Sequence, residues 1–547
     1  EITRPSDYSE YSKTYGLFVH DDWRVSDKLT VNLGLRWEVE TPLVERNGKS
    51  ISNFDFGYTQ PIEGTVQQRY AALNDPALKA LVSQLTVKGG LMYVEKDTKN
   101  LYNTPKNTFL PRFGFAYSVN EKTSLRGGIG LFAGFLGQRR GDVIQPGYSQ
   151  TTTFPSVTLP SGAPIARSWD SSLTSLPILE PIGNSNGRQT SLGNAITFFN
   201  PDPKVSKQLR YQVGIQRELP GGFTVEAAYV GNYGYDIEIN RNINTLPRQY
   251  LNTDNSRTAA MNANSTFLGA TVANPFAGLV PGASINGGTA SRQNLLRPFP
   301  GYGDITTTNN DGKSWYNSGQ FGVQKRFSKG YTVGVSYTLS KWEQATEYLN
   351  ASDPTPTRVI SDLDATHRLS LSTIMNVPFG KGRTFMSDAS GALEAILGGW
   401  QIQGVYTYQT GFPIAFANDG FWNGQSLALP KSERTTLRWF NTANITSVKN
   451  GATANDATPV SHLRSMPLRF ADVRRDNIAS LDASLLKNVS LKGRTSLQLR
   501  FEVVNALNSA YFPAPVVNPT ASNFGEISAS NQSNYARRVQ LAAKFLF

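Results

Sequence analysis

The chain has 547 residues, 48 of them glycine and none cysteine, with 17% charged and 11% aromatic residues and a formal net charge of +12. The absence of cysteine excludes a disulfide scaffold, a thiolate metal site and a cysteine nucleophile. The basic residues are scattered and not clustered, which argues for solubility or an anionic surface and against nucleic acid; no stretch reaches the roughly 20 apolar residues of a membrane helix.

Taken in order, the chain begins at Glu1 without the n-region and h-region of a signal peptide, so it is expected to be a mature or partial chain. Strict alternation follows. Leu29, Val31, Leu33, Leu35 and Trp37 interleave with Thr30, Asn32, Gly34, Arg36 and Glu38, and the same period of two runs through Leu209–Gln216, Tyr331–Ser340 and Ser496–Val503. About thirteen strands are expected, near 12–25, 28–39, 108–119, 122–136, 206–218, 222–235, 314–327, 330–342, 366–378, 398–411, 480–488, 494–507 and 536–547. Helical signal is confined to short pieces near 76–85 and 391–397. The last strand carries Val539, Leu541, Ala543, Phe545 and Phe547 on one face, an apolar surface with no later element to cover it.

The connections alternate in length. VSDK (25–28), VNEKT (119–123), ELPGGF (218–223), FSKGY (327–331) and the turn at 492–494 are short. The connections 40–107, 137–205, 236–313, 343–365, 412–479 and 508–535 are long and rich in Asn, Thr, Ser, Pro and Gly, and 379–397 is intermediate. A soluble sandwich gives no reason for this asymmetry. A transmembrane antiparallel β-barrel does, because its periplasmic turns are short, its extracellular loops long, and its strands apolar outside and polar inside. Placing the end of the last strand in the periplasm puts every long connection outside the cell. The expected fold is therefore all-β, a partial barrel domain over residues 1–547, with Phe545 and Phe547 facing outer-membrane lipid. Trp23, Trp37, Trp315, Trp342 and Trp400, with Tyr408, are expected in an aromatic girdle.

Several motifs resemble a known family. The terminal Gln540, Ala542, Phe545 and Phe547 resemble the C-terminal signal read by the barrel-assembly machinery, with Ala542 where glycine is usual. YGLFVHDDWRVSDKLTVNLGLRWE (15–38), DATHRLSLSTIMNVPFGKGR (364–383), LGGWQIQGVYTYQTGFPI (397–414) and LDASLLKNVSLKGRTSLQLRFEVVNALN (481–508) together resemble the barrel of Oar-like TonB-dependent transporters, which carry an N-terminal carboxypeptidase-regulatory-like domain. The resemblance implies a 22-strand plugged barrel, localisation in the outer membrane of a Gram-negative bacterium, and TonB-driven transport of a bulky substrate by a protein that is not an enzyme. About nine strands, the plug, the regulatory-like domain and the TonB-binding segment would then lie outside this chain. The alternative is a passive channel or a structural, adhesive surface protein. Neither reading requires a cofactor or metal.

Candidate chemistry is sparse. The three histidines are His20, His367 and His462. Asp364, His367 and Ser370 have the residue types of a hydrolase triad, but a spacing of three in a strand sends His367 and Ser370 to opposite faces. Asp362, Asp364 and His367 lack a diagnostic metal spacing. Asn309-Asn310-Asp311-Gly312 reads as a tight turn before Trp315, and Gly128, Gly130 and Gly134 as strand glycines without the helix a phosphate loop needs. Arg140-Gly141-Asp142 is a chance tripeptide in a chain this long. Phe421, Trp422, Trp439 and Phe440 are expected to pack within a loop, and Arg36, Arg210, Arg500 and Glu502 to form a polar network inside the barrel.

Overall fold

The computed structural model describes residues 2–94, 100–136, 143–152, 179–416, 420–446, 461–491, 495–527 and 532–547. Its main element is an antiparallel sheet in which thirteen strands follow one another in chain order. They are β1 (Thr14–Arg24), β2 (Leu29–Glu40), β3 (Thr108–Asn120), β4 (Thr123–Ala133), β5 (Lys207–Leu219), β6 (Phe223–Asn242) and β7 (Ile305–Ser328). Then come β8 (Tyr331–Ala345), β9 (His367–Asn376), β10 (Trp400–Gln409), β11 (Ile478–Ser490), β12 (Ser496–Val504) and β13 (Arg538–Leu546). Each of the thirteen expected strands is present. The sheet does not close on itself: β1 and β13 pair on one side only.

Register keeps one face apolar across the sheet. A single transverse row runs Val31, Phe115, Gly127, Val213, Tyr229, Gly319, Leu339, His367 through direct cross-strand pairs. Near the other edge Ile402, Leu485, Phe501 and Leu541 form an equivalent row. Because the side-chain period is two, continuous pairing of this kind holds every apolar set on the same face. That face is bare: Leu541 is 78% exposed. Two close approaches tie strands together on it. The ring of Tyr211 lies over Gly231, its direct partner, and its hydroxyl donates to Asn317 Oδ1 on the next strand at 3.0 Å. The ring of Phe115 covers Gly127 in the same way. A Cβ on either glycine would overlap the ring.

Two lysines occupy this apolar face one step from a short connection. Lys325 is fully buried, its ammonium donating to Ser328 O at 2.8 Å and Tyr331 O at 3.1 Å while resting 3.7 Å from the Tyr331 ring centroid. Lys487 donates to Gly398 O and to Ile396 O and lies 5.2 Å from the Trp400 ring. Carbonyl and aromatic partners at the strand end satisfy a charge that the face itself cannot.

The long connections depart from expectation. Read as loops without periodicity, they instead fold, with helices α1 (Glu63–Ala71), α2 (Pro76–Leu81), α3 (Ala259–Gly269) and α4 (Arg292–Leu295); only α2 falls where helical signal was read. A second piece, α5 (Gly391–Leu397), coincides with the other expected helix. Asp75 caps α2 by accepting from Leu78 N at 3.0 Å, with Pro76 in the first turn, and Thr258 caps α3 by accepting from Met261 N. Strands β6 and β7 also run beyond their expected ends, because 237–242 pairs with 306–312 above the rest of the sheet, and β8 does so because 343–345 pairs with 313–315. Asn309-Asn310-Asp311-Gly312 is therefore strand, part of β7, and not a tight turn. The turn at 492–494 and the tripeptide 140–142 lie outside the described residues.

Candidate functional site

At the long-connection end of the sheet the connections form a cap with two principal apolar cores. One gathers Ile51, Phe54, Tyr70, Phe198, Phe276 and Tyr302 from three different connections. Phe54 lies within 5.6 Å of both Phe198 and Tyr302, ring to ring. Tyr302 donates to Gly89 O at 3.0 Å, and its burial pushes the phenol pKa above the usual value. The second core joins the connections after β10 and β12, with Phe416 packed edge-on against Phe440 and Phe470 at 5.4 Å. Trp439 and Phe440 are buried here, Trp422 stacks edge-on at 5.3 Å from Phe470, and Phe421 is buried separately against Met261, so these four are packing residues.

Between cap and sheet a polar cleft of about 810 Å³ is lined by Glu238, Asn240, Arg241, Thr308, Glu347 and Tyr348. The extended ends of β6 and β7 supply the first four, which is why the strand extension matters. Arg241 donates to Asp353 O at 3.3 Å and lies 5.0 Å over the Tyr348 ring. Tyr348 donates to Asp311 Oδ2 at 2.7 Å; burial, then this carboxylate, raises its pKa. Glu347 accepts from Arg469 at 2.7 Å, and Arg248 pairs with Asp353 at 2.6 Å. Thr307 Oγ1, Thr308 Oγ1 and Asp311 Oδ1 find no hydrogen-bond partner among the described residues. The cleft thus offers the Arg241 guanidinium, the Glu238 and Glu347 carboxylates and the Asn240 amide to a polar solute, and no nucleophile paired with a base.

The triad residues are not brought together. Asp364 is 1% exposed and accepts from Trp342 N at 2.6 Å, Thr366 Oγ1 at 3.1 Å and Arg474 at 2.7 Å. His367 stacks on Tyr337 and shares a 2.8 Å hydrogen bond with its hydroxyl on the apolar face. Ser370 pairs with Ser336 on the polar face. Asp364 serves to tie the cap to β8. His20 lies 3.3 Å from Asp22, and His462 packs 4.7 Å from Phe421. Asp362 accepts from Ser361 at 3.4 Å, and no acidic or histidine cluster fit for a metal occurs among the described residues. Gly128 and Gly130 are within β4, and Gly134 follows it.

Arg36, Arg210, Arg500 and Glu502 share the polar face. Arg36 pairs with Glu38, Arg210 donates to Gln208 at 2.8 Å, and Arg500 is 3.6 Å from Glu502. Of the tryptophans, Trp23 and Trp400 are on the apolar face at the short-connection end, Trp37 and Trp315 on it at the cap end. Trp342 is a correction. It pairs with Tyr316, one position out of phase with the Trp315–Glu343 pair, so it points to the polar face, where its Nε1 donates to Ser314 Oγ at 2.8 Å. Tyr408 pairs with Leu369 on the apolar face. Gln540 and Ala542 pair with Glu502 and Arg500 on the polar face, Phe545 with Leu497 on the apolar one, and the ring of Phe547 is 6.3 Å from that of Phe545. A shallow groove of about 710 Å³ across β1–β6 is lined by Leu33, Phe113 and Ile129 of the apolar face.

No curated protein matches the chain. Among solved structures it is similar to the ferripyoverdine receptor of the outer membrane of Pseudomonas aeruginosa, at 10% identity and a TM-score of 0.39, covering 98% of this chain and 39% of that one. It is similar to the outer membrane transporter YddB from Escherichia coli, at 10% identity and a TM-score of 0.39, covering 98% and 54%. It is also similar to the siderophore receptor PiuA from Acinetobacter baumannii, at 9% identity and a TM-score of 0.38, covering 99% and 44%. The chain spans between 39% and 54% of the length of these three. The family described as outer membrane beta barrel domain matches residues 1–540. With its apolar face turned outward to lipid and its polar face inward, the chain belongs to this outer membrane β-barrel family and resides in the outer membrane of a Gram-negative bacterium.

Proposed function

We propose that the chain, over residues 1–547, is the barrel part of a TonB-dependent active transporter for a bulky substrate, with the cap and its polar cleft as the entrance. The observation that carries this reading is the pair of free strand edges on β1 and β13. In lipid each unpaired backbone group costs several kcal/mol, and bacterial single-chain barrels have even strand numbers. An odd number of further strands from the same protein satisfies both conditions, and the nine implied by the Oar-like motifs give a lumen wide enough for a plug. Arg36, Arg210, Arg500 and Glu502 then face that plug, and TonB engages a segment upstream of Glu1. Gln540, Ala542, Phe545 and Phe547 act as the signal to the barrel-assembly machinery, and Trp23, Trp37, Trp315 and Trp400 as girdle residues. The separation of His367 from Ser370, and the engagement of Asp364 by Arg474, support a protein without hydrolase activity.

The test follows accumulation of radiolabelled candidate substrates by cells carrying the complete protein, with and without TonB. Surface binding that persists without TonB while accumulation stops is the expected result. Accumulation that continues without TonB would replace the transporter with a passive channel.

A further inference from the structure

The connection 377–399 between β9 and β10 lies at the short-connection end, the periplasmic side of an outer-membrane barrel. It is longer than the other turns there, and it is built inside out. Its α5 helix has the sequence GALEAIL, and the single charged residue, Glu394, points inward, its carboxylate accepting from Lys381 N at 2.6 Å. The apolar side chains point away: Leu393 is 47% exposed, Ile396 65% and Leu397 38%, at spacings of three and four that put them on one helix face. Phe379 and Phe385, stacked at 5.2 Å, extend this surface along the preceding hairpin at 42% and 53% exposure.

The helix is held against the apolar side of the sheet. Trp400 Nε1 donates to Ile396 O at 2.7 Å, and Lys487 donates to Ile396 O and Gly398 O. Trp400 and Lys487 are direct cross-strand partners on the face that also carries Ile402, Leu485 and Leu499. The exposed side chains of α5 are therefore continuous with the lipid-facing belt and lie at its periplasmic margin. Lys381 and Arg383, both exposed, lie in the same connection, in the hairpin between Phe379 and Phe385.

We infer that 377–399 is an interfacial anchor that inserts Leu393, Ile396 and Leu397 among the acyl chains of the periplasmic leaflet and holds an anionic phospholipid headgroup with Lys381 and Arg383. An apolar helix face with basic neighbours is the composition that lies in a membrane interface. Lys487 and Trp400 fix its depth, since both are anchored in the sheet.

These 547 residues contain no cysteine, and any cysteine elsewhere in the complete protein is replaced by serine before labelling. Ile396→Cys in the complete protein is labelled with an environment-sensitive dye and placed in vesicles of phosphatidylcholine with phosphatidylglycerol. The dye should be quenched by lipids bearing a nitroxide high on the acyl chain and protected from aqueous iodide. The same dye at Leu437→Cys, at a position in the cap that is 73% exposed, should show the reverse. Iodide quenching at position 396 equal to that at 437 overturns the anchor, as does protection in native membranes but not in vesicles, which places a protein there instead. For the headgroup, nitroxide phosphatidylglycerol should quench severalfold more than nitroxide phosphatidylcholine, and K381Q with R383Q should abolish that preference. Equal quenching by the two lipids in the unaltered protein overturns the anionic contact.

Discussion

The sheet and the cap place the same residue types in opposite positions. In the sheet, Leu541 and Phe501 are exposed and the polar face holds Arg500 and Glu502; in the cap, Phe54, Phe416 and Tyr302 are buried, and buried carboxylates such as Asp75 and Asp364 are each paired with an arginine. Each half obeys burial of apolar surface, but one half faces hydrocarbon and the other faces water. Polarity alone therefore does not say which side of an element is inside. The solvent it meets decides that.

The comparison can be broken most forcefully in the cap. Phe416→Ala leaves a cavity in the second core and should cost about 3–5 kcal/mol of local stability. Hydrogen exchange should rise in 412–479 and 508–527 while β12 and β13 keep their protection; a uniform rise across the sheet would show that cap and sheet are one cooperative unit. In the sheet the largest effect comes from charge. Leu499→Arg, in mid-strand on the lipid face, should cost about 2–4 kcal/mol in refolding titrations into lipid vesicles. The same titration sharpens the contrast with Gln498→Lys on the polar face, which should fall near zero. A penalty for Gln498→Lys equal to that for Leu499→Arg would invert the face assignment.

A smaller effect belongs to Asp75. Burial acts to raise its pKa, but the Leu78 amide and the Arg292 guanidinium outweigh it, and the carboxyl sits below its ordinary value of 3.8. Its contribution is complete above that value and is lost as pH falls through the lower, folded value. Asp75→Ala should cost about 1 kcal/mol as a lost cap, together with its ion pair to Arg292, and should remove the acid dependence of exchange in α2. An unchanged acid profile would assign that dependence to another group.

The thirteen strands of the sheet are legible because each repeats its pattern over ten or so residues, so Leu29 through Trp37 declares a face without help from elsewhere, whereas the extended ends of β6, β7 and β8 carry no such repeat. The cap is not legible in this way, because Phe54, Phe198 and Tyr302 meet only after the chain has folded, and nothing around each of them repeats. Asp75-Pro76 and Thr258 did carry helix-start signals, and the first was partly read. Strand-end position alone does not place Trp342, because Trp315 and Trp342 are at similar heights but on neighbouring strands one position apart in register, and only that phase sends Trp342 to the polar face. The cleft was missed for a related reason. Asn309 through Gly312 have turn-forming residue types, and only their pairing with Ile237 and Ile239 keeps them extended.

Alternation leaves one error uncorrected. A slip of one residue between β5 and β6 turns every side chain to the wrong solvent and is forbidden, but a slip of two preserves both faces. The glycine beneath Tyr211 removes that degeneracy. Moved by two in either direction, the ring would meet Tyr229 or Tyr233 in place of Gly231, with no room to lie flat and no reach to Asn317. Phe115 on Gly127 makes the same demand between β3 and β4, where the neighbouring seats hold Leu125 and Ile129. Each pair works as a keyed joint, so that as hairpins are laid down one after another the chain proofreads its own alignment, and a single added methyl at position 231 would cost fidelity of assembly as well as strength.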